Sequence, residues 1–263
     1  MPSTYAHYYF GMQVLKSLDQ EIKDLIIRHQ ALFDIGLHGP DILFYYNPLR
    51  ANIINQKGHE LHSKTASYFL EKAKKIISYC PKKEAASVYI LGFICHFMLD
   101  SECHPYINEV TKTTGISHSE IETEFERLLM LENQIEPLSY KPTRHIIPQK
   151  EYATYISWFY EGVTPKEIFK ALKSMKFNLN FLVAPGKLKR LVIAKALKLT
   201  GNFESMNGLV MSYKPNQACI PSSIALRKLL ENVKEPTVNL VNEFYHNLPN
   251  LERLNIRFLR TFA

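Results

Sequence analysis

A chain of 263 residues with 46% hydrophobic and 22% charged residues is long enough to bury a core, and its balance excludes a disordered chain. No uninterrupted apolar run reaches the roughly 18 residues of a membrane-spanning helix, which argues against a transmembrane protein. A net charge of +7 and ten histidines are the two departures from an ordinary composition.

Only ten glycines interrupt segments rich in Leu, Ile, Lys, Glu and Ala, whose apolar residues recur at three- and four-residue steps. The pattern predicts an all-α protein with no strand. In chain order, helices are expected over 5–18, 19–29, 63–79, 83–104, 117–131, 150–160, 165–175, 186–199, 221–233 and 236–247. Loops are expected at Gly36 to Pro48, Pro81, Pro105 with Gly115, Pro137 to Pro148, Ala184 to Gly186, and Lys214 to Pro221. No segment is long or biased enough to be a linker, so 1–263 reads as one all-α domain. Helices of about 1–135 carry the polar motifs, and those of about 150–263 pack on them. Cys80, Cys95, Cys103 and Cys219 make neither a disulfide framework nor a Cys-x-x-Cys motif, and Met1 to His7 lacks the basic and apolar regions of a secretory signal. A reducing cytoplasmic setting is the expectation.

The chemistry-bearing residues concentrate in the first half. Helix 83–104 opens on an apolar run, Tyr89 to Ile94, and then presents His96, Asp100 and His104 at i, i+4 and i+8, stacked along one face. Buried histidine and aspartate require partners or a metal; a His–Asp hydrogen bond inside a core, or a solvated stripe, is the ordinary alternative. His118 and Glu122 repeat the i, i+4 spacing in the next helix, where Ser117 and Glu120 form a capping-box pattern. A surface His–Glu contact accounts for that pair equally well when it is taken alone. Upstream, Asp41 follows Gly39-Pro40, where an Asx-type turn is the alternative, and Gly58-His59-Glu60-Leu61-His62 precedes the helix expected from Ser63. Its histidines are three apart, so the metalloprotease HExxH pattern fails. His7 lies among Tyr5, Tyr8, Tyr9 and Phe10. His29, His38, His145 and His246 lack ligand-type partners at helical spacing and read as structural.

Taken in order, His7, Asp41, a histidine at 59 or 62, His96-x3-Asp100-x3-His104 and His118-x3-Glu122 resemble the zinc-dependent phospholipase C family, which is related to the S1/P1-type nucleases. The resemblance implies a multi-helix all-α bundle with two or three zinc ions. It implies that Asp41, His62, His96 and Asp100 hold the first zinc, with His59 the rival to His62, and that Asp41 also orients or deprotonates the attacking water. His104, His118 and Glu122 correspond to a second site, and His7 and Asp100 to a third. In the family that third zinc also takes an N-terminal tryptophan; here the single Trp158 lies far along the chain, and Pro2, exposed by removal of Met1, is the substitute. Histidine and carboxylate ligands suit zinc, which can hold a hydroxide near neutral pH for in-line attack on phosphorus, so a phosphodiester such as a phospholipid headgroup ester is the expected substrate. Phe44, Tyr45 and Tyr46 either line a pocket for a headgroup cation or nucleobase or pack in the core.

The charge is local. Between 166 and 200 nine basic residues face one acid, Glu167, interleaved with apolar residues, a pattern suited to an anionic membrane surface or to nucleic acid, or to the solvated face of ordinary helices. The expected function is a zinc-dependent, phospholipase C-like phosphodiesterase. A nuclease or nucleotide phosphoesterase, and a non-catalytic zinc- or membrane-binding protein, are the alternatives.

Overall fold

The computed structural model describes residues 4–199, 207–248 and 253–262. The chain runs through α1 (Thr4–Ser17), α2 (Gln20–Arg28), α3 (Gln30–Gly36), a 3-10 turn (Gly39–Tyr45), α4 (Ile53–Ser63), α5 (Ala66–Tyr79), α6 (Lys83–Thr114) and α7 (His118–Glu132). It continues through α8 (Lys150–Ser157), α9 (Pro165–Leu182), α10 (Lys187–Leu199) and α11 (Ile220–His246). No strand occurs among the described residues, so the all-α expectation holds.

At the centre lies α6, buried almost without a break from Ala85 to Ser101, because its apolar residues go all round rather than along one stripe. By length and composition it is the one described helix that could cross a membrane, yet 94% of its most apolar window is buried inside the protein. One continuous cluster of buried apolar side chains joins α1, α3, α5, α6, α7, α9, α11 and the C-terminal Phe258 and Phe262.

Several boundaries differ from the sequence expectation. Helix α6 does not stop at Pro105 but runs through it to Thr114 and ends at Gly115, in the left-handed region at φ 74°. A proline there removes the amide that would bond the Ser101 carbonyl. Arg260 Nη2 supplies the missing donor at 2.9 Å, so the C-terminal tail repairs the helix. Helix α11 likewise runs through Pro236 where two helices were expected. The segment read as a loop before Ser63 is helix α4: the Asn52 carboxamide accepts from the Ile54 and Asn55 amides, and Asn55 Oδ1 accepts the Asn52 amide in return. Gly58, within this helix, lies under the Phe44 ring, where an added Cβ would come within 2.9 Å of it. His62 therefore stands in the last turn of a helix, not ahead of one. At the start of α7, Ser117 Oγ accepts from the Glu120 amide, but the Glu120 carboxylate takes the Asn216 carboxamide instead of closing the capping box.

The start of α1 is held by a residue far along the chain. Its first-turn amides have no partner within the helix, and Glu126 Oε1 from α7 accepts those of Tyr5 and Ala6 at 2.5 and 3.1 Å. Burial pushes the Glu126 carboxyl up from its ordinary 4.5 to about 8. The folded chain thus keeps a proton that the unfolded chain releases, and stability falls as pH rises from about 4.5 to about 8. Glu126→Gln, which is neutral and can still accept both bonds, is expected to flatten this dependence and to raise the urea midpoint at pH 9 above that of the unmodified protein. A wild-type midpoint that does not fall between pH 6 and pH 9 would contradict the assignment.

Candidate metal centre

Five elements bring eight predicted residues to one place: His7 from α1, Asp41 from the 3-10 turn, His62 from α4, His96, Asp100 and His104 from α6, and His118 and Glu122 from α7. Asp100 stands in the middle. Its Oδ1 lies 3.1 Å from His7 Nε2 and 3.4 Å from His104 Nε2, while its Oδ2 lies 3.2 Å from His96 Nε2 and 3.9 Å from His62 Nε2. Asp41 Oδ1 is 3.0 Å from His62 Nε2 and 3.7 Å from His96 Nε2. Glu122 Oε1 faces His118 Nε2 at 3.1 Å and His104 Nε2 at 3.5 Å.

These separations match donors arranged about a common point, since ligand atoms around a tetrahedral zinc stand about 3.3 Å from one another. The burial is deep: His96 is 0% exposed, Asp100 3% and Glu122 2%. Close as they are, His7 Nδ1, Asp41 Oδ1, His62 Nε2, both nitrogens of His96 and Asp100 Oδ2 are buried with no hydrogen bond of acceptable geometry. Four of them, Asp41 Oδ1, His62 Nε2, His96 Nε2 and Asp100 Oδ2, face one another and are costly unless something satisfies them together, and imidazole nitrogens with carboxylate oxygens are a zinc-type donor set. Three groups of potential ligands result: Asp41, His62 and His96; His7, His96 and Asp100; and His104, His118 and Glu122. The Asx-turn alternative for Asp41 loses its support, because its Oδ1 is turned onto the histidines.

The surroundings fix ring orientation and charge. The Gly58 carbonyl, which can only accept, takes the Nδ1 proton of His62 at 2.8 Å and leaves the Nε2 lone pair for the cluster. Burial alone would lower the pKa of His62 and His104; the Asp41 and Asp100 carboxylates raise the first, and Asp100 with Glu122 lifts the second to about 9. His96 is brought down to about 4 by burial. Burial works to raise Asp100, but His104, His96 and His7 hold it below the usual carboxylate range. The turn carrying Asp41 is pinned from behind, where the Tyr89 and Tyr160 hydroxyls, 2.6 Å apart, reach the Gly39 carbonyl at 3.5 and 3.3 Å. Gly39 has φ +46°, and an added Cβ would stand 2.3 Å from the His96 ring, so the turn and the histidine fit only around a bare backbone.

His59 stays outside. It is exposed and stands against the Phe44 ring at 4.4 Å, away from the cluster. Pro2 lies outside the described residues. Sequence reasoning missed three supports. His38 and His145 meet with their Nε2 atoms 2.7 Å apart, the His145 ring stacked on Tyr8 at 4.1 Å, and burial lowers both so that they stay neutral. Phe262 packs on His62 and His96 with ring centroids 5.0 and 5.9 Å away. The Tyr89–Tyr160 pair is the third. None of these carries a local spacing signal, because each partner arrives from a distant part of the chain.

Comparison with known families places the geometry. Residues 6–178, well over half of the chain, match the model for zinc-dependent phospholipase C. The chain belongs to the zinc-dependent phospholipase C family. Neither the curated proteins nor the solved structures gave a significant match. Membership makes it a phospholipase C-like hydrolase with zinc as its metal and a phospholipid-type substrate. All eight clustered residues lie inside the matched segment, whereas α10, α11 and the tail carrying Phe262 lie beyond it.

Proposed function

We propose that this member of the phospholipase C family is a phosphodiesterase in which Asp41, His62, His96 and Asp100 hold one zinc, His104, His118 and Glu122 hold a second, and His7 with Asp100 contributes to a third. The observation that carries the reading is the convergence of four buried atoms without hydrogen-bond partners, Asp41 Oδ1, His62 Nε2, His96 Nε2 and Asp100 Oδ2, at spacings of 3.0 to 3.9 Å. Zinc in such a donor set acts as a Lewis acid toward a phosphoryl oxygen and brings the ionisation of water to near neutral pH. Asp41, the more exposed of the two carboxylates in the first group at 10% against 4%, orients the attacking water and takes its proton. Three carboxylates with neutral histidines leave a centre of two or three zincs net positive, which draws a phosphate ester anion to it.

The lipid reading is preferred over the nucleic-acid one because of how the basic stretch is used. Lys176 Nζ donates to the Ile146 carbonyl at 2.6 Å, Lys189 Nζ to that of Val183 at 2.6 Å, and Arg190 to those of Ala184 and Met211. These cations tie loops together. The outer face of α10 instead carries Leu188, Leu191, Val192 and Leu199, between 51 and 89% exposed, beside Lys187 and Lys195, which suits an anionic lipid surface.

The test is zinc quantification on the purified protein together with turnover of p-nitrophenyl phosphorylcholine and of single-stranded DNA, in wild type and in His96→Ala. Zinc at two to three per chain and hydrolysis of the choline ester, both lost in the variant, are expected. Hydrolysis of DNA alone would favour the nuclease reading. Zinc without any turnover would favour a binding protein, and unchanged zinc and activity in His96→Ala would sink the site.

A further inference from the structure

Beside the metal centre lies a cleft of ≈ 430 Å³ between α4 with the 3-10 turn on one side and α9 with α10 on the other. Phe44, Leu179, Leu182, Ile193 and Leu197 dominate its walls, and no Lys, Arg, Asp or Glu among the described residues lines it. The volume falls in the range of small-molecule sites, roughly 300 to 1,000 Å³. Its polar groups, among them Asn55, Asn178 and His59, are too few and too neutral to meet a phosphate.

Phe44 is the shared wall. It lines the cleft, and its ring stands 5.3 Å from that of His62, which is 3.0 Å from Asp41. The trough thus begins across one aromatic ring from the metal centre. The other wall, α10, has two apolar faces. Ile193 and Leu197 turn inward and join Ala184 in a small separate core, while Leu188, Leu191 and Val192 turn outward to solvent at 77, 53 and 51% exposure. A helix apolar on both sides, with lysines between, meets a hydrocarbon phase outside and a hydrocarbon ligand inside.

We propose that this cleft is the binding site for one acyl chain of the lipid substrate, with α10 as the wall over which the chain passes from the bilayer. The proposal rests on the phospholipase reading of the adjoining centre and deepens it: the leaving group is a diacylglycerol-type alcohol, recognised by its hydrocarbon. His59, a rival zinc ligand in the sequence, is thereby a cleft wall, and Phe44 and Tyr45 contact a chain, not a headgroup cation. Because α10 lies beyond residues 6–178, the chain-binding half of the site is supplied by a segment outside the family match.

Two measurements on the full chain test it separately from catalysis. The first is binding of the fluorescent fatty acid 11-(dansylamino)undecanoic acid to the protein as purified, competed by dioctanoylglycerol and by AMP. Saturable binding displaced by the diacylglycerol, and lost in Ala196→Trp, which fills the cleft from α10, is expected. The second is turnover of dibutyroyl and dihexanoyl phosphatidylcholine below their micelle concentrations. Two further buried methylenes raise kcat/KM about fifteenfold, at about fourfold each. In Ala196→Trp this gain collapses to near onefold while p-nitrophenyl phosphorylcholine, which has no chain, is hydrolysed as before. Ala196→Leu, a smaller intrusion, serves if the tryptophan variant does not fold, judged by its melting curve. Probe binding with no turnover of any ester would sink the phosphodiesterase reading and support the cleft. Chain-length dependence unchanged in both variants, no probe binding, or displacement by AMP but not by diacylglycerol would overturn the cleft assignment.

Discussion

Asp100→Ala is expected to release zinc from the protein and to lower phosphodiester turnover by more than about a thousandfold, beyond the roughly 10² to 10³ that follows from removing one hydrogen-bond donor at a reacting oxygen. The reason is its place between the ligand groups: one oxygen faces His7 and His104, the other His96 and His62, so a single substitution strips a donor from more than one zinc at once. Asp100→Asn separates charge from shape. It keeps the side-chain outline but removes the negative charge that the surrounding histidines hold ionised. If Asp100 were only a buried hydrogen-bonding group, the amide would restore zinc content and activity; as a metal ligand it restores neither. Elemental analysis of both variants, with far-UV circular dichroism to establish that they fold, decides between the two. Full zinc occupancy in Asp100→Asn is the outcome that counts against the centre.

Phe262→Ala carries the second large effect, through a residue with no chemistry of its own. Phe262 is 1% exposed and packs on Phe93 and Phe97 of α6 at 5.8 and 5.3 Å as well as on the two histidines. Its tail is fixed where the Ala66 amide donates to the Arg260 carbonyl at 3.0 Å and Arg260 meets both Ser101 and Glu102. Truncating a buried phenylalanine costs about 3 to 5 kcal/mol. For a chain of this size that is a fall in melting temperature of roughly 10 °C. The empty volume also frees the His62 and His96 rings, so zinc affinity drops with stability. Phe262→Leu, which refills most of the space, should recover most of both. Calorimetry and competition with a zinc chelator read the two effects, and a Phe262→Ala protein with unaltered melting and zinc affinity would remove the tail from any part in the site.

The candidate site was legible where its residues are local in sequence. His96, Asp100 and His104 share one helical face by spacing alone, as do His118 and Glu122, and structure brought both sets together as the pattern implied. His7 and Asp41 needed the family order to be noticed, since neither has a ligand-type neighbour within a helical turn. His62 was preferred to His59 because it abuts the helix expected from Ser63, whereas the helix that carries both, α4, was not foreseen. Spacing on an unseen helix carries no direction.

Boundaries failed in one consistent way. Pro105 was read as a stop and Pro236 as the start of a second helix, a rule that describes an isolated helix, where the carbonyl left without its amide has no other partner. At Pro105 the tail provides one, in Arg260, more than 150 residues further on. The basic stretch divided for the same kind of reason: composition counted nine cations, while folding spent Lys176, Lys189 and Arg190 on backbone carbonyls.

Composition and periodicity by themselves determined that this protein is a helical bundle, and spacing alone placed His96, Asp100 and His104 on one helix face and His118 and Glu122 on another; reading them as a zinc-type site took the resemblance to the family. Those properties depend on neighbours one helical turn apart, which the sequence writes directly. Tertiary structure alone decided which histidine of α4 faces Asp41, that Phe262 backs the cluster, and that an apolar cleft opens beside it under α10. Each of those is set by side chains distant in sequence meeting through packing, and their contacts leave no period or spacing to be read along the chain.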